Sequence, residues 1–146
     1  MPVAIRAAAM NDKEACIELL QDLSDTTGEW LSGAAGDAFE RLIDCERGQI
    51  LLAEDDGELL GLASVTYNLA MRFGGEYCQL EELVVEPSAR GRKIGTLLVE
   101  ETLNCARKRG CAEIGAYVVE QADDTRSYYE KFGFETVGTE MRQRLI

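Results

Sequence analysis

Residues 80–101 read LEELVVEPSARGRKIGTLLVEE, and the way this stretch folds decides the rest. Its first half is rich in Leu and Val and stops at Pro87, which has no N–H to give a strand ladder. Its second half turns helical from about Ile94, with Leu97, Leu98 and Val99 leading into Thr102, Cys105 and Ala106. Between the halves lie Arg90, Arg92 and Lys93, three of the chain's 15 basic residues, with Gly91 and Gly95 among them. Strand, glycine-bearing loop and helix N-terminus together make an anion cradle. Amides of the first helical turn lack partners, the dipole adds positive charge, and glycines let the main chain come close. The arginines add forked donors suited to phosphate. The predicted ligand is a pyrophosphate. Neither GxxxxGK[ST] nor GxGxxG occurs, so this is neither a P-loop nor the dinucleotide fingerprint.

The surroundings are acidic. The 146 residues carry a formal net charge of -12, which excludes non-specific binding to nucleic acid or to an anionic membrane and attracts cations, amines included. The length suffices for a core without staples. No apolar run approaches the ~20 residues of a membrane span, and the first residues hold no signal-type apolar segment, so a cytoplasmic protein is expected. The five cysteines, Cys16, Cys45, Cys78, Cys105 and Cys111, show no CxxC spacing, and there is no histidine. No metal site is expected. Acid–base chemistry must then come from carboxylates, Tyr, Cys or Lys.

Outward from the cradle the pattern gives a short strand over 3–6 and a helix over 13–23 capped by Asn11 and Asp12. A polar loop around Trp30 follows, then a second helix over 37–45. Strands at 49–54 and 59–67 are joined by DDGE, a hairpin turn, and a further strand occupies 77–87 after the loop MRFGGE. Downstream, the long helix ends in RKRG, with Gly110 past its end. A strand over 112–119, a short helix over 123–132, and two strands over 134–138 and 140–146 complete the chain. That order predicts an α/β (α+β) fold, a mixed central sheet with helices on both faces, as a single domain over 1–146.

With Arg90, Lys93 and Gly95 at the places of an [RQ]xxGx[GA] loop, and YYEKFGF at 128–134 matching [FY]YxxxGF, the chain resembles the GCN5-related N-acetyltransferase (GNAT) family. Lys93 stands where the family has its first glycine. The resemblance implies an N-acetyltransferase that moves the acetyl group of acetyl-CoA directly to a primary amine, without a covalent acyl-enzyme. It also implies splayed central strands. Main-chain groups at Leu83, Val84 and Val85 would then hold the pantetheine arm. Arg90, Gly91, Arg92, Lys93, Ile94, Gly95 and Thr96 would hold the pyrophosphate. Tyr129 matches the family's tyrosine that protonates the leaving thiolate, and Tyr128 beside it would pack against the cofactor arm or the core. Glu81 sits where the family often has its base. Glu82, on the opposite face of a regular strand, is the other carboxylate, though a bulge would exchange the two. Where the family often carries an Asn before the tyrosine element, this chain has Ala122, Asp123 and Asp124.

The acceptor amine, of a small molecule or a peptide, would be chosen by the loop around Trp30 and the hairpin before the bulged strand. Trp30, Tyr67, Met71 and Phe73 are candidates for an apolar or cation–π wall, and Asp25, Glu29 and Asp37 for drawing in an amine. A resemblance to the aminoalkylphosphonate acetyltransferase branch stops at that branch's histidines, which are missing here. Edge strands near the C-terminus, and the habit of the family, suit a homodimer. The reading from a different class is a non-catalytic acyl-CoA binding or sensing module, for which Tyr129 and a carboxylate on the bulged strand would be superfluous.

Overall fold

The computed structural model describes residues 2–28, 30–118 and 123–146. Five strands form one sheet in the order of the chain: β1 (Ala4–Ala7), β2 (Gly48–Asp55), β3 (Glu58–Ala70), β4 (Gly75–Val85) and β5 (Ile114–Ala116). The first four run antiparallel, and β5 pairs with β4 in parallel. The β2–β3 turn uses Asp56 and Gly57, both at positive φ (52° and 81°), the backbone that a two-residue hairpin needs to match strand twist. The DDGE signal is therefore met.

Both faces of the sheet are covered, as the element order required. Helices α1 (Lys13–Thr27) and α2 (Ala35–Asp44) bring Cys16, Leu19 and Phe39 against Ile50, Leu52, Leu62 and Val84. Helix α3 (Ile94–Arg109) lies on the other face and brings Ile94, Leu98 and Ala106 against Leu51, Ala53, Val65, Cys78 and Leu80. Tyr129 of α4 (Asp123–Glu130) packs against that second cluster. Adjacent β2 residues thus serve opposite cores, the alternation a doubly covered strand requires. Each fully buried aliphatic side chain contributes about 1.5–3 kcal/mol. Gly61 lets α3 seat on the sheet: a Cβ there would stand 2.9 Å from the Val84 carbonyl, 3.0 Å from Ile94 and 3.2 Å from Leu98. This close approach fixes the start of α3 relative to β4. Gly110, at φ 83°, ends α3 as expected.

Three expectations change. Residues 134–146 contain no strand and are almost wholly exposed. A segment becomes a strand only beside an edge, and β5 is three residues long where eight were expected; of its expected end, Val119 lies outside the described residues. Asp12 does precede α1, but its carboxylate accepts from Arg6 (2.8 and 3.0 Å) and the Ala9 amide (2.7 Å) rather than from the helix. Arg6 thereby holds the Asp12 carboxyl below its usual range. Third, Glu81 and Glu82 do not face opposite ways, for a reason that belongs to the site. Among the described residues no helix is long and apolar enough to cross a membrane.

Candidate active site

The register between β3 and β4 slips once. Ser64 pairs with Glu82 and Val65 with Leu80, so Glu81 is an extra residue with nothing opposite it. The bulge reverses the alternation of β4: Cys78 and Leu80 before it, and Leu83 and Val85 after it, all face the α3 layer, while Val84 faces α1 and α2. Ser64 and Thr66, two apart on β3, share a face. Ser64 donates to Glu82 in a short hydrogen bond, and Thr66 donates to Glu81 at 2.7 Å. Both carboxylates therefore lie on the α1–α2 face. Asn68 donates to the Thr66 hydroxyl at 3.2 Å, extending a polar chain under Glu81. No reading of single residues foresaw this row. Its sign in the sequence is Ser64, Thr66 and Asn68 at alternate positions of an otherwise apolar strand.

Just past the carboxylates the sheet opens. β4 and β5 pair at Cys78–Ile114, Gln79–Gly115 and Leu80–Ala116, and no farther among the described residues. β4 continues to Val85, held among the described residues by β3 alone. On its other side the main chain of residues 81–85 has no strand partner among the described residues, the splay the resemblance implied.

The open edge runs into the cradle. A 3-10 turn at Pro87–Ala89 is held by Glu86, whose carboxylate accepts from the Ser88 amide at 2.8 Å and from the Ser88 hydroxyl. These bonds keep the Glu86 carboxyl below its usual range. Gly91 (φ 90°) and Lys93 (φ 62°) are both left-handed. The first intrahelical bond of α3 is Leu97 N–H to the Lys93 carbonyl, 3.1 Å, so the amides of Ile94, Gly95 and Thr96 have no helical acceptor. Leu83, Val85, Arg90, Gly91, Lys93, Ile94, Gly95 and Thr96 line one cleft of about 490 Å³ together with Tyr128. The orphan amides and two cations fit a diphosphate. Ile94 has its side chain in the core (1% exposed) and offers only its amide. Val84 turns its side chain to the opposite layer, which leaves its main chain for the expected contact, and Arg92 is tied to Asp55 at 2.7 Å.

The tyrosines divide. The Tyr128 ring lies over Gly95 and lines the cradle. Tyr129 packs in the α3-side core, and burial pushes its phenol up to about 12. It also lines a second cavity of about 800 Å³, between β5 and residues 134–140, with Gln79, Leu103, Gly115 and Phe134.

The aromatic residues proposed for an acceptor wall are already occupied by this chain's own arginines. Arg144 stacks on Trp30 (4.2 Å), Arg109 on the buried Tyr67 (3.9 Å), and Arg72 on Phe73 (4.6 Å), while Met71 is fully exposed. Arg142 stacks on Tyr117 (4.0 Å), so the C-terminal segment ties the end of β5 to the α1–α2 loop. Asp25 accepts from Gln21 (2.9 Å), and Asp37 lies in the first turn of α2. Glu29 and Ala122 lie outside the described residues. No group of three or more metal-ligating side chains occurs among the described residues.

Comparison with known proteins places this geometry. The pattern of the Acetyltransferase (GNAT) family matches residues 16–134. A probable glucosamine 6-phosphate N-acetyltransferase 2 of Oryza sativa subsp. japonica is 32% identical over 71 residues, 49% of this chain and 41% of that protein. The chain thus matches about two fifths of that relative's length. The peptidyl-lysine N-acetyltransferase YjaB of Salmonella typhimurium is 27% identical over 94% of this chain and 87% of its own. Among solved structures, a transcriptional regulator from Bacillus halodurans superposes with a TM-score of 0.88 at 25% identity, covering 99% of this chain and 100% of its own.

Proposed function

The chain belongs to the Acetyltransferase (GNAT) family, and from that premise we propose that it moves the acetyl group of acetyl-CoA directly to a primary amine of a small molecule or peptide. No covalent acyl-enzyme is involved, and residues 1–146 act as one domain. The observation that carries the reading is the continuity of the bulge at Glu81, the strand edge left open after Leu80, and the unpartnered amides that head α3. Gly91, Ile94, Gly95 and Thr96 offer main-chain donors to the diphosphate, and Arg90 and Lys93 offer cations. Arg92 joins them once it leaves Asp55. The open edge at Leu83, Val84 and Val85 offers its peptide groups to the pantetheine arm and to the thioester carbonyl, whose oxygen gains charge as the amine attacks.

Glu81, with Glu82 beside it, takes the proton that the ammonium must lose before its nitrogen can attack. The C–N bond forms, the C–S bond breaks, and the departing thiolate takes a proton from Tyr129, which burial keeps protonated at neutral pH; the second proton that the nitrogen sheds on becoming an amide restores the phenol. The products are an amide and free CoA, with one net proton released. A homodimer is part of the proposal. It is supported by β5 being paired on one side among the described residues, and by the exposed Val137, Met141, Leu145 and Ile146.

The test is incubation with acetyl-CoA and a panel holding glucosamine 6-phosphate, glucosamine and a lysine peptide, with release of the CoA thiol followed over time. Turnover on any amine supports the reading. CoA binding with no turnover across the panel replaces it by the non-catalytic acyl-CoA module, and absence of CoA binding overturns both.

A further inference from the structure

The Tyr128 hydroxyl is a polar atom of the cradle that has no well-formed partner among the described residues. Helix α4 lays the ring over the first turn of α3, so close that a Cβ on Gly95 would stand 2.8 Å from the hydroxyl oxygen. Edge contacts with Tyr129 (centroids 5.5 Å apart) and Phe132 (5.2 Å) fix the ring there. The oxygen is shielded from solvent and, among the described residues, makes no hydrogen bond of good geometry. Burial pulls the phenol above its ordinary pKa, and the nearby Thr96 hydroxyl offsets that only in part. Leaving a buried hydroxyl unpaired is destabilising, and native structures seldom keep such a group without a use.

Most of the polar groups on the same cleft are donors: the amides of Ile94, Gly95 and Thr96 and the cations of Arg90 and Lys93, with the Thr96 hydroxyl beside the phenol and Glu100 the carboxylate that acts on it. What those donors lack is an acceptor with several oxygens. We propose that Tyr128 is a binding residue for the acyl donor, its hydroxyl donating to an oxygen of the diphosphate held at the start of α3. This rests on the acetyl-CoA reading above and adds to it a division of labour between neighbouring tyrosines. Tyr128 holds the donor by its phosphates, and Tyr129 serves the sulfur. Gly95 is required at its position because Tyr128 must stand where a side chain would be.

Tyr128→Phe keeps the ring and removes only the hydroxyl. Isothermal titration with CoA, thermal melting of the free protein and steady-state kinetics on the full chain then read three separate quantities. The expected result is a Kd for CoA raised about tenfold or more, since a bond to an ionised acceptor is lost. KM for acetyl-CoA rises with it, kcat stays within about twofold, and the free protein melts no lower than wild type. Equal Kd values for the two proteins overturn the assignment, as does a kcat that collapses at unchanged Kd, which would make Tyr128 the proton donor. A lower melting temperature of the free variant also overturns it, because the hydroxyl would then have an internal partner. A wild-type chain that binds no CoA overturns the acetyl-CoA reading itself and this assignment with it.

Discussion

Thr66 donates its hydroxyl to Glu81 at 2.7 Å across the one bulge that leaves Glu81 without a residue opposite it on β3. The bond holds a carboxylate at the point where β4 leaves β5, and the account assigns that carboxylate the amine's proton. Glu81→Gln is expected to lower kcat by ~10²–10⁴ with the Kd for CoA unchanged. Thr66→Val, which frees the carboxylate without removing it, is expected to cost about tenfold or less. Steady-state kinetics with CoA titrations check both, and a kcat of wild-type size in Glu81→Gln moves the role to Glu82.

Gly95 and Tyr128 predict a reversal of sign. In the wild type an added methyl would meet the hydroxyl oxygen at 2.8 Å, so Gly95→Ala is expected to destabilise by ~1–3 kcal/mol. In Tyr128→Phe the nearest atoms would be the ring carbon and a Val85 methyl, each at 3.7 Å. There the same change should stabilise by up to ~1 kcal/mol, since Ala is the better helix residue. A double-mutant cycle of denaturant midpoints reads the reversal.

Lys93 holds a left-handed backbone at φ 62°, which costs a residue with a Cβ ~1–2 kcal/mol. Lys93→Gly is expected to raise the denaturant midpoint modestly, because glycine's extra unfolded-state freedom offsets part of the relief. It should also weaken CoA binding and flatten its salt dependence, because one cation leaves the cradle. Midpoints, and titrations at two salt concentrations, check the two halves separately.

Buried thiols and phenols set the alkaline limit. Burial pushes Cys78 and Tyr67 up to about 12 and Cys16 to about 11, from 9.0 for a thiol and 10.0 for a phenol. Between about pH 9 and 12 the folded chain therefore binds more protons than the unfolded one, so stability is full below about pH 9 and falls as pH rises. Urea midpoints from pH 7.5 to 10.5 should decline above 9, and Cys78→Ala should flatten the decline even as it lowers the plateau.

Much of this was legible in residues 80–101, because Pro87, the basic cluster and the glycines each act locally: they stop a strand, shape a loop and start a helix. The hairpin at Asp56–Gly57 and the end of α3 at Gly110 were legible for the same reason. What stayed hidden depends on partners distant in sequence. The shared face of Glu81 and Glu82 follows from a one-residue slip against β3, and periodicity within β4 cannot show it. The engagement of Arg92 by Asp55 joins residues far apart in the chain. Residues 134–146 carry strand-like composition, yet lie unpaired beside the three-residue β5.

A crystal structure with CoA bound tests the central claim most directly. The diphosphate is predicted against the amides of Gly91 and residues 94–96, with the arm leading along the edge of β4 that β5 leaves open after Leu80. The diphosphate seated in the larger cavity beside Phe134, or β4 and β5 found paired up to Val85, would contradict the account.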